Sequence, residues 1–536
     1  MLRKTTAVVV TLVALLAAGR LVTPADRAGV RGQLAFLRSE LDAGAAEQAQ
    51  GLFPEGYLFM YALYGLAQVS RGRDAADPSS QLREARWALS RLETPAGRGP
   101  FSADLTPAYG VFYQGWTNWL RGGILSLRPD PALQRDFEAS SAALAAAFDA
   151  SSSPYLAAYP GQAWPVDSTV AIASLRLHDK LLPPRYAGTV QRWLTGVRQR
   201  LDPATGLQPH TVDLETGAPA SVARGTSQSI IQRFLVDIDP GFAREQYLRF
   251  RSQFVVRPLR LGPAVREYPV GMDGPGDVDS GPLPLGVSLS ATAVTLGAAA
   301  VAGDRGLARS LASYGELVGV PFSTPWTKRY AAGALPIGDA FVAWSKTARP
   351  WVAAAQVPPP PVITPWWRLP FVALLALVVL LAWLPLARWA AARSAGPWPE
   401  SVGPAAARSA GAGSVGAGSA AARSAGVGSD SAGSAGVGSV GVGLAAAGSA
   451  GVGLAAAGSA GVGLAAEGSV GACSVGAGGD EADAGGGQAD HEGGRAGPEE
   501  SDEPVGPLGV AADHGDEEAA GHEDRGDQHP ERQHLP

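Results

Sequence analysis

The stretch LPFVALLALVVLLAWLPLA, residues 369–387, divides the chain. It runs for 19 residues without a charge, between Arg368 and Arg388. At about 1.5 Å of rise per residue, a helix of this length covers roughly 29 Å, the thickness of a bilayer's hydrocarbon core. Trp366 and Trp367 stand just before it, where amphipathic rings favour the headgroup region. Pro370 falls in the first turn, where a missing N–H costs little. Pro385 falls in the last turn and is expected to mark the exit. A buried core helix is the alternative reading, but core helices this long usually carry some polar residues. Length and flanks together predict a membrane span.

At the other end of the chain, MLRKTTAVVVTLVALLAAG (1–19) places Arg3 and Lys4 before an apolar run from Ala7 to Ala18. Ala17-Ala18-Gly19 offers small residues for cleavage, so this segment reads as a signal peptide or an uncleaved anchor, and either exports the chain beyond it. Arg388 and Arg393 beyond the span agree with a cytoplasmic tail and an extracytoplasmic domain at 20–364, in the plasma membrane of a bacterium. The four lysines (Lys4, Lys180, Lys328, Lys346) leave nearly all positive charge to arginine, which with the Ala/Gly/Val excess suggests a GC-rich genome.

Beyond the span, residues 396–479 are rich in Gly, Ala, Ser and Val and repeat GVGLAAAGSA at 441–450 and 451–460. Side chains this small bury too little area to offset backbone ordering, so a disordered linker is expected. Residues 480–536 carry 17 acidic residues against three arginines, so the net charge of −6 conceals a basic remainder. This acidic tail is also expected to be disordered, with an unknown cytoplasmic partner. Its histidines are irregularly spaced, and solvated charge explains them better than metal capture. The basic remainder shows no clustered basic-aromatic pattern, so no nucleic-acid partner is expected. Cys473, the one cysteine, lies in the linker, which excludes disulfides and thiol catalysis from the folded domain. No metal site or cofactor is expected.

From 27 to 346 apolar residues recur at three and four, as in Leu34, Leu37 and Leu41. Twelve helices are expected, over about 27–48, 54–70, 79–94, 108–125, 131–149, 166–182, 185–200, 225–238, 241–256, 283–302, 304–318 and 336–346. Asp130-Pro131 and Asp239-Pro240 each set a capping residue before a proline at the first helical position. Tight links alternate with long Gly/Pro/aromatic loops. The pattern predicts an all-α fold, an (α/α)6 toroid, in which loops entering six inner helices crowd one face.

DPATGLQPHTVD (202–213), ARGTSQSI (223–230) and GDVDSGPLPLGVSLSATA (276–293) resemble loop-helix segments of the six-hairpin glycosidase-like superfamily. AYPGQAWPVDSTVAIASLRLHDKLL (158–182) resembles the linalool dehydratase/isomerase-like branch more specifically. The resemblance spans roughly 30–345. It implies the toroid and its site-bearing face, but not that branch's dehydratase/isomerase chemistry, which is associated with active-site cysteines this domain lacks.

Loops entering the expected inner helices bring Glu55 and Tyr57, Asp104 and Tyr109, Trp164 and Asp167, His210 and Arg224, Asp273, Asp277 and Asp279, and Trp326, Arg329 and Tyr330 to one end. Rings that stack on C–H faces, beside carboxylates and arginines, suit a glycan or another polyhydroxylated ligand. Asp167, Asp273, Asp277 and Asp279 are candidate acid/base carboxylates, since glycosidic cleavage needs two. His210, in a loop, is the candidate proton-transfer histidine, whereas mid-helix His178 reads as structural. Tyr57, Tyr109, Trp164, Arg224 and Gln228 are candidate substrate contacts. Each has a plainer role: Asp167 as a helix cap, Thr226 or Ser227 as another, the 273–279 aspartates as turn formers, Tyr57 as core. GxSxG, HExxH, Walker A and GxGxxG patterns are missing, which removes serine-hydrolase, zincin and nucleotide-binding readings. The sequence therefore supports a membrane-anchored cell-envelope protein acting on a polyhydroxylated substrate, or a non-catalytic envelope-binding scaffold.

Overall fold

In a computed structural model, residues 2–22, 27–354, 356–361 and 363–394 are described. The linker at 396–479 and the acidic tail at 480–536 lie outside the described residues. Helix dominates. The helices are α1 (Leu2–Val22), α2 (Arg27–Asp42), α3 (Ala45–Leu52), α4 (Gly56–Gly72), α5 (Ser79–Leu92), α6 (Pro95–Arg98), α7 (Gly110–Leu125) and α8 (Pro131–Ala150). They continue with α9 (Pro165–Leu181), α10 (Ala187–Arg198), α11 (Gly225–Ile238), α12 (Pro240–Phe254), α13 (Leu289–Val301), α14 (Arg305–Val318), α15 (Pro336–Lys346) and α16 (Leu369–Ser394). Two antiparallel pairs of two-residue strands, β1 (Val255–Val256) with β2 (Ala264–Val265) and β3 (Phe322–Ser323) with β4 (Lys328–Arg329), fold the loops before α13 and α15.

Local chemistry sets most boundaries. Asp130 accepts from the N–H groups of Ala132 (3.0 Å) and Leu133 (3.2 Å), and Asp239 from Phe242 (2.7 Å), as expected of caps before proline. Three expectations need correction. The helix expected over 27–48 is two, because Gly44 adopts φ 91° and turns the chain. The helix expected from 283 begins at Leu289, because Pro284–Gly286 is a 3-10 turn in which Leu285 is left-handed, φ 56°. Pro385 does not end α16, which runs on to Ser394. Proline removes one backbone N–H donor, and the helix continues past it.

The helices pack in a closed order. α4 packs on α7, α7 on α9, α9 on α11, α11 on α13, α13 on α15, and α15 back on α4. Flanking helices cover them: α5 on α4, α8 on α7, α10 on α9, α12 on α11, α14 on α13, and α2 on α15. α5, α8, α10, α12 and α14 each follow their partner through a short link, as antiparallel neighbours do. Aromatic side chains fill the middle. Trp116 of α7 lies 5.4 Å from Phe59 of α4, 5.5 Å from Phe234 of α11 and 5.6 Å from Trp344 of α15. Each ring buried this way contributes roughly 1.5–3 kcal/mol. Gly115 lets α7 meet α9 closely, since a Cβ there would stand 3.0 Å from the Ala171 nitrogen.

After α15 the chain is latched to this core. The Asp237 carboxylate accepts N–H bonds from Trp351 (2.9 Å), Val352 (2.8 Å) and Ala353 (3.1 Å). Trp351 stacks on Trp119 at 4.7 Å and 7°.

Two helices are long and apolar enough to cross a membrane, over Arg3–Leu21 and Pro365–Ala391. They pack on each other. Arg368 Nε donates to the Leu21 carbonyl (2.8 Å), and Trp383 Nε1 to Thr11 Oγ1 (2.9 Å), so α1 and α16 run antiparallel. Ala7, Ala14 and Leu21, spaced by seven, are the buried seam of α1, while Leu12, Val13, Leu377 and Leu380 point outward. The pair is tied to the domain where Tyr314 of α14 meets Trp367 (5.9 Å) and Phe371 (6.0 Å).

Candidate functional site

The starts of the enclosed helices carry polar and aromatic residues: Glu55 at α4, Tyr109 at α7, Trp164 and Asp167 at α9, Arg224 at α11, Asp339 at α15. The loop into α13 carries Asp273, Asp277 and Asp279. Each helix start adds the partial positive charge of its free N–H groups.

Asp167 is 4% exposed. Trp164, not Asp167, occupies the N-cap position of α9, so the capping role is corrected: Asp167 stands within the first turn. Burial first, then the charges of Glu55 and Asp279, holds its carboxyl well above the usual carboxylate range. Asp279 is reached by water yet closely surrounded by protein. Burial, then Asp277 and Glu55, pushes it up to about 7. The Tyr159 hydroxyl donates to Glu55 Oε1, and its ring meets Trp164 edge-on at 6.0 Å. Burial first, then Glu55, Asp167 and Asp279, raises the Tyr159 phenol, so it stays protonated. The charge of Glu55 thus bears on Tyr159, Asp167 and Asp279, three groups from distant parts of the chain. Burial and like charge thus both favour the protonated form of the Asp167 carboxyl.

Beside it stands a second arrangement. Arg224 Nε donates to Glu267 Oε1 (2.8 Å) and its Nη1 to Asp277 Oδ2 (2.6 Å). Its Nη2 is buried without a hydrogen-bond partner. Glu267 is fully buried and also takes the Thr226 N–H (3.2 Å) and hydroxyl (2.7 Å). The expected capping by Thr226 or Ser227 is therefore replaced: α11 has Arg224 at its N-cap with no side-chain cap, and Thr226 holds Glu267 instead. Burial pushes the Asp277 carboxyl up, but the Ser280 N–H and Arg224 outweigh it and hold Asp277 below its ordinary value. Asp277 also shapes its own turn, accepting from the N–H groups of Asp279 (3.1 Å) and Ser280 (2.9 Å). His210 Nδ1 lies 2.7 Å from Ser227 Oγ. Burial, then Arg224, lowers this imidazole to about 4, so it is neutral near pH 7.

Other candidates are engaged elsewhere. Asp273 is 85% exposed and pairs with Arg266. Gln228 is buried, donating to the Gln208 carbonyl (2.7 Å) and accepting from Gln232 (3.1 Å). Tyr57 is buried against Tyr61 at 4.8 Å. Tyr109, left-handed at φ 67°, lies under the Arg98 guanidinium at 5.5 Å. His178 is buried beside Asp179 (3.2 Å).

Sequence reasoning missed Tyr159 and Glu267, whose partners stand 104 and 43 positions away. It also missed a buried network at α14 and α15. Lys328 and Lys346 both donate to Glu316 Oε1 at 2.7 Å, and the Tyr330 hydroxyl does so at 2.5 Å. Burial pushes the Glu316 carboxyl up, but Lys346 and Lys328 outweigh it and hold it at about 2. The one available signal was composition, since two of only four lysines are spent here. Among the described residues no group of three or more His, Cys, Asp or Glu side chains is arranged to hold a metal ion. No family profile and no curated protein matches the chain.

Proposed function

We propose that this chain is a membrane-anchored cell-envelope protein whose α4–α7–α9–α11–α13–α15 cycle is the inner layer of an (α/α)6 toroid of the six-hairpin type. In this reading the common end of the cycle is a site for a glycan or another polyhydroxylated substrate. Asp167 is the general acid, because its environment keeps a proton on a carboxyl at neutral pH. Asp279 or Glu55 is the opposing carboxylate, and Trp164 and Tyr159 offer rings for sugar faces. The observation that carries the reading is the Tyr159–Glu55 hydrogen bond, which joins the start of α4 to the loop before Trp164 and Asp167 across 104 positions.

Antiparallel packing of α1 on α16 supports a retained N-terminal anchor and not a cleaved peptide. It sets Arg3, Lys4, Arg388 and Arg393 at the end away from the domain, which suits a cytoplasmic end and an extracytoplasmic domain.

The test is to incubate the full-length, detergent-solubilised protein with fractionated envelope glycans and measure new reducing ends. Asp167→Asn should lower the rate roughly 10²–10⁴-fold with folding retained. A second reading, a non-catalytic envelope-binding protein, draws on the pairing of Asp273 and Asp277 with arginines. It is favoured if glycan binding is detected and Asp167→Asn leaves it unchanged, with no new reducing ends from the parent protein.

A further inference from the structure

Large apolar side chains are not left exposed at random. Among the described residues from 27 to 354 they are exposed at Leu52 and otherwise only along 259–289 and 318–326. The first stretch is the loop that carries Asp279 into α13, with Leu259, Val278 and Leu285 in water. The second leads into α15 through the β3–β4 hairpin, with Val320, Phe322 and Trp326 in water, the last 78% exposed. A soluble surface rarely gathers its apolar residues this way without a partner.

Both loops are continuous with the base of the apolar helix pair. Arg20, at the end of α1, donates from Nη2 to the Pro321 carbonyl (3.1 Å), which precedes β3. Gly262 of the first loop abuts the Tyr314 ring, where a Cβ would stand 2.3 Å away, and Tyr314 is the residue that meets Trp367 and Phe371. The first loop also exposes Arg257 and Arg260, while its exposed Asp273 and Asp277 are neutralised by Arg266 and Arg224 and Asp279 stands exposed beside them. Apolar side chains interspersed with exposed arginines are the composition of an interfacial segment.

We propose that loops 255–289 and 318–326 form a membrane-docking rim, seated in the headgroup–acyl boundary of the bilayer that α1 and α16 cross. The occupant is phospholipid. Trp326, with an apolar body and a polar N–H, suits that layer, and the two arginines face lipid phosphates. Docking sets the loop bearing Asp279 at the membrane surface. The inference rests on the reading that α1 and α16 span a bilayer.

The test uses the full-length chain with Cys473→Ser, which removes its one native thiol. Single cysteines are introduced as Val278→Cys, Phe322→Cys or Trp326→Cys. Leu377→Cys reports on the span, and Gln191→Cys, an exposed position of α10, reports on a helix that packs on α8 and α9. Each protein is labelled with a fluorophore and reconstituted into phosphatidylcholine–phosphatidylglycerol vesicles carrying a headgroup-proximal or mid-chain quencher. The expected result is loss of emission at 278, 322 and 326 with the headgroup-proximal quencher, loss at 377 with the mid-chain quencher, and no loss at 191. Quenching at 377 with 278, 322 and 326 behaving like 191 overturns the rim and leaves the span standing. No quenching at 377 overturns the span, and the rim with it.

Discussion

Replacing Arg224 by Met tests how the Asp277 turn is held. The side chain keeps its apolar stem and loses the guanidinium. Two carboxylates then lose a counter-charge, and they differ in burial. Glu267 is 0% exposed, so its charge is stranded in protein with only Thr226 for company. Breaking a buried pair from one side costs about 3–5 kcal/mol. Asp277 is 38% exposed, and its share is that of a surface pair, about 0–1 kcal/mol. The expected loss is therefore about 3–5 kcal/mol, nearly all through Glu267. At about 2–4 °C per kcal/mol this lowers Tm by roughly 6–20 °C. Glu267→Gln in the Arg224→Met background should recover more than half of the loss, while Asp277→Asn in the parent should cost under about 1 kcal/mol. The pH dependence has a definite sign. Burial raises the Glu267 carboxyl above its unfolded value even with Arg224 present, and removing the arginine raises it further. A carboxyl with a raised folded pKa favours the fold at low pH and loses that contribution as pH rises. The gap between Arg224→Met and the parent should widen from pH 5 to pH 8. Thermal unfolding of the full-length protein, followed by intrinsic fluorescence across that range, reads all four proteins. A loss below about 1 kcal/mol, or no recovery in the double variant, refutes the buried clamp.

Asp167→Asn should raise Tm at pH 8 and change it little at pH 4, because the raised carboxyl disfavours the fold only where it must ionise; equal effects at both pH values would contradict this. Asp237→Ala strips three backbone N–H groups of their acceptor and should cost roughly 3–5 kcal/mol, with faster proteolysis near 350; a Tm within a degree of the parent rules the latch out. Gly225→Ala sets a Cβ 2.1 Å from the Arg266 carbonyl oxygen, a backbone clash that cannot swing aside, and should cost roughly 3 kcal/mol or more; normal stability would mean the α11 start and residue 266 are not in contact.

Helices were legible because burial imposes a three-and-four period that local residues record, as in Leu34, Leu37 and Leu41. What escaped was backbone exception. Nothing in Pro284-Leu285-Gly286 declares that Leu285 is left-handed, and the two-residue strands are too short to show alternation. The site divides in the same way. Asp167 and Asp279 stood out as candidates because aspartate at a helix start or in a Gly/Pro-rich turn has local meaning. Glu267 was not, because its counter-charge comes from another part of the chain, and only folding reveals which carboxylate loses its water. Arg224 was visible as charge but not as a clamp, for the same reason.

Gln33 of α2 donates to the Asp339 carbonyl and carboxylate at the start of α15, 306 residues later. The last enclosed helix therefore closes against α2 and α4, among the earliest helices of the core. On a ribosome adding about 5–20 residues per second, α4 must wait on the order of 15–60 s for the neighbour that covers its free side. Through that interval Phe59, whose final neighbours include Phe341, stands without them. Loop-closure entropy makes so distant a pairing slow even once both partners exist. Nascent chains of this protein should accordingly need a holding chaperone, and truncations ending before α15 should aggregate and not persist as smaller folded pieces.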